Sequence, residues 1–193
     1  MPRIGQLAVI LGIVFCWAAA AAAADTTWTS DPARSKVSLV TSYVFVSKLN
    51  MMLPIESGTV VTDNDAWTRP VRIELHFESV ALTTGNAKRD ADLRSDKFFD
   101  TERYPAITYV SREITETKPG EFVVKGTLSM HGMTGELDLQ GRAFDEQREN
   151  DGKRHVHYEA TGNFRRTDYG ITYAKGIIGD NINLDVMIEA IAP

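Results

Sequence analysis

The sequence predicts an all-β fold, in which one antiparallel barrel, closed or nearly closed, is interrupted by a short helical segment. Most of the chain alternates apolar and polar residues, as half-buried strands do. The strand-like segments recur at regular intervals without tandem repeats, linkers or low-complexity tracts, which favours a single closed sheet. A chain of 193 residues with 43% hydrophobic residues is long enough for one well-filled domain and short for two.

The first 24 residues have the pattern of a secretory signal peptide. Arg3 supplies a positive charge, and an apolar run follows it. Alanines up to Ala24 complete an A-x-A-type cleavage site before Asp25. The apolar run is also just long enough for a retained membrane anchor, but the alanine run followed at once by polar residues favours cleavage. We therefore expect a signal peptide over 1–24 and a barrel domain over 25–193, in a secreted, periplasmic protein.

Charge and cysteine content exclude several classes of function. The chain has 21 basic and 26 acidic residues, a net charge of -5. An acidic domain with dispersed charge is a poor binder of nucleic acid or of an anionic membrane. Cys16 is the only cysteine and lies in the predicted signal peptide, so the mature chain forms neither disulfides nor thiolate metal sites.

The first predicted strands are one short and one long segment. Trp28 opens the short strand, and Asp31-Pro32 turns the chain. The run from Val37 to Val46, which includes Phe45, is β-branched and aromatic. Both of its faces are partly apolar, so the strand either bends or is covered on both sides. The segment Met51 to Ile55 that follows is either packed core or an exposed apolar lip. The core interpretation is favoured, because methionine commonly fills irregular gaps.

The segment from Val71 to Thr83 has the clearest alternation in the chain. Its apolar set is Val71, Ile73, Leu75, Phe77 and Ser79, and its polar set is Arg72, Glu74, His76 and Glu78. This pattern predicts a strand with one face exposed to water. Its register is well specified, because a slip of one residue would expose the whole apolar set.

A helical insert interrupts the strands between residues 86 and 105. Asn86 or Thr84 can cap the helix, because a short oxygen-bearing side chain accepts from free backbone N–H groups at a helix start. Asp90 and Arg94 have the spacing of a helical ion pair.

The second half of the insert carries Phe98 and Phe99, and Pro105 ends it by forcing Tyr104 out of helical geometry. Ala106 to Val110 predicts a new strand. A helix that ends in two phenylalanines is interpreted as a plug over the mouth of a pocket.

The second half of the chain predicts hairpins and a final strand. The predicted segments are Phe122 to Met130, Leu137 to Ala143, His155 to Phe164 and Ile178 to Ala190, with a tight turn at 132–135 and a charged loop at 146–153. Gly126 and Gly141 interrupt apolar faces. A glycine inside a strand indicates a bend or a close approach to the backbone.

Several motifs resemble the YceI-like family of secreted proteins. They are Arg89-Asp90, Leu93-Arg94-Ser95, Phe98-Phe99-Asp100, Tyr104-Pro105, Ile107-Thr108-Tyr109, the hairpin residues Leu128, Gly132 and Thr134, and Phe164, Arg166, Asp168-Tyr169-Gly170-Ile171. The resemblance implies a lipocalin-like, eight-stranded antiparallel barrel whose elongated interior holds an isoprenoid chain or similar lipid. The pattern departs from the family at 46–62, and Asp92 stands where the family usually has a histidine.

The apolar faces and the insert supply the candidate ligand site. The predicted tunnel and mouth residues are Ile73, Leu75, Phe77, Phe98, Phe99, Leu137, Leu139, Tyr158, Phe164, Leu184 and Val186. Arg89, Arg94 and Arg166 are candidate head-group contacts, since planar guanidinium donors suit the oxygens of a diphosphate or quinone. The competing interpretation is structural: Asp90 and Asp168 would each hold an arginine and stiffen a loop over the barrel end.

The sequence offers little that predicts catalysis. It has no nucleophile elbow and no glycine-rich phosphate loop. His155 and His157 share a strand face and could bind a metal, but a solvated polar face is the favoured interpretation. His76 and His131 are likewise interpreted as solvated. We therefore expect no catalytic residue, no metal and no cofactor other than a bound isoprenoid or quinone.

The leading hypothesis is a non-enzymatic carrier of a polyprenyl chain or quinone. Transient contact with a membrane or membrane protein, and a homodimer, are compatible with it. An enzyme acting on a lipid or amide through Asp168 or Asp90 is the second hypothesis, and it requires a carboxylate and a His or Ser within hydrogen-bond reach inside a cavity. A packed, ligand-free stress or adhesion protein is the third. An eight-stranded barrel is compatible with either a filled or a hollow interior.

Overall fold

The computed structural model describes residues 24–44 and 47–192. The predicted signal peptide, apart from Ala24, and the predicted strand residues Phe45 and Val46 lie outside the described residues. Within the described part of the chain, no helix is long and apolar enough to cross a bilayer.

Ten strands form one antiparallel sheet. They are β1 (Thr26–Ser30), β2 (Lys36–Tyr43), β3 (Ser47–Pro54), β4 (Ser57–Thr62), β5 (Pro70–Glu78), β6 (Ala106–Lys118), β7 (Glu121–Met130), β8 (Met133–Arg148), β9 (Arg154–Arg165) and β10 (Asn181–Ala192). One α-helix, α1 (Ala87–Arg94), and short 3-10 turns at Asp63–Asp65, Ser79–Ala81 and Arg166–Tyr169 complete the described elements.

The sheet closes into an eight-stranded barrel, as predicted. Strands β4 to β10 pair in sequence order, and β1 closes the circle by pairing with both β4 and β10. Strand β2 pairs with β10 beyond β1, and β3 pairs with β2. Strands β1 and β2 pair with successive stretches of β10, so they act as one strand with a corner at 31–35. Strands β3 and β4 continue each other in the same way, opposite β2 and β1. Closure removes the free edges except along β3, which among the described strands pairs with β2 alone.

The two ends of the barrel differ. At the end where β1 begins, Trp28 is completely buried, and its indole N–H donates to the Thr62 hydroxyl at 3.0 Å. At the other end, residues 79–105 leave the sheet between β5 and β6, and residues 166–180 leave it between β9 and β10. We call this second end the mouth.

The predicted alternation is confirmed in β5 from Ile73 onward, where Ile73, Leu75 and Phe77 are buried. Val71, predicted to share their face, is exposed. Val61 pairs with Arg72 and Thr62 pairs with Pro70, so Val71 is an extra, unpaired residue on β5. This β-bulge shifts the alternation at the start of the strand. The strand also ends at Glu78, before the predicted end.

The methionine-rich segment near residue 52 is an ordinary alternating strand. Met51, Leu53 and Ile55 are buried, which confirms the core interpretation for them, whereas Met52 is exposed. The predicted tight turn lies two residues earlier than expected: His131 and Gly132 both have positive φ, and Met130 pairs with Met133. Two successive residues in that conformation form the two-residue turn that matches strand twist.

Both glycines predicted to mark close approaches do so. The ring of Tyr109 lies against Gly126, and the ring of Phe122 lies against Gly141. A Cβ atom at either position would overlap the ring. These glycines therefore let two large aromatic side chains lie flat inside the barrel.

Candidate functional site

The interior of the barrel contains an apolar cavity that extends to the mouth. All strands other than β1 and β4 line it, together with the insert and the loop before β10. The cavity between the lining side chains has a volume of about 90 Å³. Because 25 side chains surround so small a volume, the space is narrow.

The few polar groups in the lining are already satisfied by the protein. The Thr41 hydroxyl lies 2.8 Å from the carbonyl of Asn181, and the Tyr109 hydroxyl donates to the carbonyl of Leu137 at 3.2 Å. Burial raises the pKa of the Tyr109 phenol. Because both hydroxyls are hydrogen-bonded to backbone carbonyls, the cavity wall offers a ligand mainly apolar contacts.

The insert closes one side of the cavity. It lies along the edge of β3 that faces away from β2, where no strand pairs with β3 among the described residues. Met52 and Thr83 form an antiparallel bridge that ties the insert to β3. Leu82, Leu93 and Phe98 are buried and line the cavity. Phe99, which is half-buried, also lines it, so a polar segment contributes four apolar side chains to the wall.

Helix α1 begins at the predicted cap. The Asn86 side chain accepts from the backbone N–H groups of Lys88 and Arg89, at 3.1 Å each. Asp90 does not pair with Arg94 as the spacing predicted. Its carboxylate instead accepts from the Thr83 hydroxyl at 2.7 Å and from Thr84, through the backbone N–H at 2.7 Å and the hydroxyl at 2.6 Å.

These hydrogen bonds to the charged form lower the pKa of Asp90. Asp90 therefore fixes the entry to the helix, and it does not line the cavity. The predicted pairing of Asp90 with an arginine is wrong, because its partners are Thr83 and Thr84.

Arg166 lies at the mouth and is buried. Its guanidinium donates to four backbone carbonyls, those of Ile171 (2.7 Å), Tyr173 (2.8 Å), Gly179 (3.0 Å) and Ile178 (3.1 Å). Desolvation lowers its pKa. These bonds hold the loop 171–179 in place over the end of the cavity, where Ile171 and Ile178 join the lining.

The carboxylate that stabilises this loop is Asp180, not the predicted Asp168. Asp180 accepts from Arg165 Nε at 2.8 Å, from the Thr167 hydroxyl at 2.9 Å and from the Thr167 backbone N–H at 3.1 Å. These bonds lower the pKa of Asp180 against the opposing effect of partial burial. Asp168 is exposed and, among the described residues, forms no ion pair.

The architecture and the motifs match those of a known protein family. The model of the YceI-like domain family matches residues 28–190. The chain belongs to the YceI-like domain family. A curated relative, a UPF0312 protein of Shewanella sp. (strain MR-7), is 25% identical over 185 residues, which are 96% of each chain.

Solved structures share the fold of this YceI-like domain at low sequence identity. BcnA of Burkholderia cenocepacia has a TM-score of 0.70 at 16% identity, covering 85% of this chain and 99% of that one. The YceI protein of Campylobacter jejuni has a TM-score of 0.66 at 22% identity, covering 77% and 87%. A polyisoprenoid binding domain from Saccharophagus degradans, described as implicated in plant cell wall breakdown, has a TM-score of 0.60 at 17% identity, covering 87% and 99%.

The YceI-like barrel brings most of the predicted tunnel residues together. The cavity at the mouth is lined by Leu75, Phe77, Phe98, Phe99, Leu137, Leu139, Phe164, Leu184 and Val186. Ile73 and Tyr158 lie deeper, in a second apolar space that shares Leu75, Leu139 and Val186 with the first. The Tyr158 hydroxyl donates to the carbonyl of Trp67 at 2.6 Å, and burial raises its pKa.

The three candidate head-group arginines are not brought together. Arg89 and Arg94 lie on the outer surface of the insert, where their Nε atoms donate to the Thr84 hydroxyl (3.2 Å) and the Val80 carbonyl (3.0 Å). Of the three, Arg166 alone is among the residues that line the cavity.

Sequence reasoning missed several lining residues, and most of them carried a signal. Leu39, Thr41 and Leu128 lie on predicted alternating faces. Ile107 and Tyr109 belong to a motif that was recognised but not assigned to the site. Leu82 and Leu93 are isolated in a polar segment, and no periodic pattern identifies them.

The histidines are less solvated than predicted. His155 is 4% exposed and lies among Arg34, Glu149 and Glu189, and its Nε2 has no hydrogen-bond partner among the described residues. One ligand atom from each of Glu149, His155 and Glu189 fits within 4.8 Å, as a metal site would need. The Arg34 guanidinium, however, contacts His155 Nδ1, donates to Glu149 at 2.7 Å and lies 3.7 Å from Glu189. A cation of the chain thus already lies within this cluster and contacts the groups that a metal would need.

His131 also has fixed contacts. Its Nδ1 lies 2.9 Å from the carbonyl oxygen of Tyr169, and its ring packs edge-on against Tyr104 at 4.9 Å between centroids. It therefore connects the β7–β8 turn to the loop before β10 and to the insert.

Proposed function

We propose that this YceI-like domain binds an isoprenoid lipid, a polyprenyl chain or the side chain of a quinone, in its internal cavity, as a secreted periplasmic carrier. The observation that carries the proposal is the continuous apolar lining, which runs from Ile178 at the mouth through Leu184 to the deeper space around Ile73. Burial of hydrocarbon contributes roughly 0.8 kcal/mol per CH₂ group. A long chain therefore gains affinity without specific polar contacts.

The narrowness of the cavity fits a linear chain better than a bulky ligand. The lining is mostly leucine, isoleucine, valine, methionine and phenylalanine. Methionine and leucine side chains change rotamer readily and can widen the space as a chain enters. The polyisoprenoid binding domain of Saccharophagus degradans has the same fold, which supports the same class of ligand here.

Binding rather than catalysis is the function that the cavity supports. Within the described part of the chain, the lining of the cavity at the mouth includes no carboxylate, histidine or serine, and the deeper space has one acid, Glu159. Asp90 and Asp168, the acids on which an enzyme hypothesis would depend, both lie outside the lining. The polar groups that do line it are committed to backbone carbonyls, so they are poor candidates for proton transfer.

The test is mass spectrometry of an organic extract of the purified protein. We expect isoprenoid chains, with or without a quinone ring, at a fixed ratio to protein. Protein that has been unfolded in denaturant, washed with solvent and refolded is the control, and it should take up an added polyprenyl lipid. A preparation with no bound lipid and no uptake after this treatment would leave the ligand-free hypothesis standing.

A further inference from the structure

Four large apolar side chains are exposed together at the mouth. Tyr43, Val44, Tyr173 and Ile177 are 44%, 46%, 50% and 51% exposed. Backbone contacts hold their two segments together: the Val44 N–H donates to the Ile177 carbonyl at 2.7 Å, and Tyr43 forms a bridge with Ile178. We call these four residues the mouth rim.

The mouth rim is continuous with the wall of the cavity. Ile178, next to Ile177, lines the cavity. The Tyr173 ring packs edge-on against Phe98, another lining residue, at 5.3 Å between centroids. Apolar surface therefore runs without interruption from the outside of the molecule to its interior.

The charge around the mouth differs from that of the rest of the chain. Lys48, Lys97 and Lys175 are exposed there, and none forms an ion pair among the described residues. Lys97 Nζ lies 5.5 Å from the centroid of the Tyr173 ring. The segments 43–48, 79–105 and 165–180 contain nine basic and seven acidic residues, against 21 and 26 in the whole chain. The mouth is thus slightly basic on an acidic protein.

We propose that the mouth rim docks onto an anionic lipid bilayer. Tyrosine rings suit the boundary between head groups and acyl chains, and lysines beside them attract anionic lipids. The inference rests on the proposed function for its purpose, because an isoprenoid that is nearly insoluble in water must enter the barrel from a membrane.

The surface is small and the attraction modest, so docking is weak and reversible, as exchange of a ligand requires. The average charge of the chain predicted poor binding to anionic membranes. That average conceals the separation of charge between the mouth and the rest of the barrel, which only the fold reveals.

The experiment measures cosedimentation with vesicles of phosphatidylcholine alone or mixed with phosphatidylglycerol. The protein is the processed form of the full chain, isolated from the periplasm with its N-terminus sequenced. We expect binding to the mixed vesicles, weaker at high salt. The double variant Tyr43→Ser/Ile177→Ser removes apolar rim residues that do not line the cavity, and it should bind about tenfold more weakly.

Matched control variants distinguish a specific role of the mouth rim from a general effect of lost apolar surface or changed net charge. Val71→Ser/Phe144→Ser removes one aliphatic and one aromatic residue with similar exposure near the opposite end, and it should bind like the wild type. Lys97→Glu/Lys175→Glu should abolish the preference for anionic vesicles, whereas Lys36→Glu/Lys118→Glu, with the same change in net charge, should retain it.

The outcomes also distinguish this inference from the proposed function. Co-purified isoprenoid without vesicle binding, or equal loss in rim and control variants, overturns the docking inference and leaves the carrier intact. Vesicle binding that needs the rim, in a protein with no isoprenoid, supports docking and refutes the carrier. A dimer that forms in the absence of vesicles and is lost in Tyr43→Ser/Ile177→Ser assigns the rim to self-association and overturns docking.

Discussion

The ring of Tyr109 on β6 lies flat against Gly126 on β7, and its hydroxyl reaches across β7 to the carbonyl of Leu137 on β8. One side chain thereby connects three neighbouring strands from inside the barrel. The arrangement requires that residue 126 have no side chain. The ring also lines the cavity at the mouth.

The first prediction is that Gly126→Ala destabilises the fold by roughly 1–3 kcal/mol, because its methyl group overlaps the Tyr109 ring. Urea unfolding measures the change. In a Tyr109→Leu background the same substitution should cost much less, since the ring is gone, and the difference is the coupling energy of a double-mutant cycle. An equal cost in both backgrounds would show that the glycine is needed for its backbone and not for this contact.

Gly126 also shows what sequence alone can predict. A glycine that interrupts an apolar strand face has few explanations, and close approach is one of them. The alternation of Leu75 and Phe77 was equally informative, because an antiparallel strand with one wet face leaves a pattern of period two. The fold class and most of the cavity wall follow from such local patterns.

The predictions that were wrong concern residues whose positions depend on contacts between segments distant in sequence. Val71 left its predicted face because it is the extra residue of a β-bulge opposite Val61 and Thr62, and the sequence of β5 alone does not reveal that pairing. His155 is buried because Arg34, Glu149 and Glu189, from three other segments, meet around it. Charges that are dispersed in sequence were interpreted as solvated, but the fold gathers some of them into pairs.

The second prediction concerns pH. Hydrogen bonds from Thr83 and Thr84 hold the pKa of Asp90 below its usual value in the folded state. The stabilisation is therefore complete above the ordinary aspartate pKa of about 4, and it is lost as the pH falls further toward the folded pKa. The advantage of the wild type over Asp90→Asn should be largest near neutral pH and shrink in acid.

Thermal unfolding of both proteins across this pH range makes the comparison. Asp92→Asn, on the exposed side of α1, is the matched control for the loss of one negative charge from the helix. A wild-type advantage over Asp90→Asn that does not change with pH would contradict the assignment of these hydrogen bonds to the charged carboxylate.

The third prediction separates Asp180 from Asp168. Asp180→Ala removes the acceptor for Arg165 and for both donors of Thr167, so it should cost about 1–3 kcal/mol of stability. Asp168→Ala, twelve residues earlier and exposed, should change stability by no more than about 0.5 kcal/mol. Chemical denaturation of the two variants decides between them, and comparable losses would restore Asp168 as a structural acid of this loop.

The fourth prediction is that the mature protein begins at Asp25. The A-x-A-type site ends at Ala24, and the apolar segment before it matches a cleavable signal peptide. Expression of the full chain, followed by fractionation and N-terminal sequencing, should recover the processed form from the periplasm. Recovery of protein that retains Arg3 in the membrane fraction would instead identify the segment as an anchor.

The last prediction tests whether the cavity holds the ligand. Leu184 is the fourth residue of β10, is 5% exposed and lines the cavity. A tryptophan at this position projects into space that a lipid chain would fill. Leu184→Trp should therefore abolish co-purified isoprenoid while the melting temperature stays close to that of the wild type. In a packed interior the same overpacking would cost about 1–3 kcal/mol.

Val156→Trp supplies the packed reference. Val156 is completely buried but lines neither apolar space, so its replacement should lower the melting temperature sharply. Leu184→Met, which nearly conserves volume, should keep both stability and bound lipid. If Leu184→Trp unfolds as readily as Val156→Trp, and extracts of the wild type contain no lipid, the interior is a filled core and the carrier hypothesis fails. Retention of lipid by a stable Leu184→Trp would place the ligand elsewhere on the molecule.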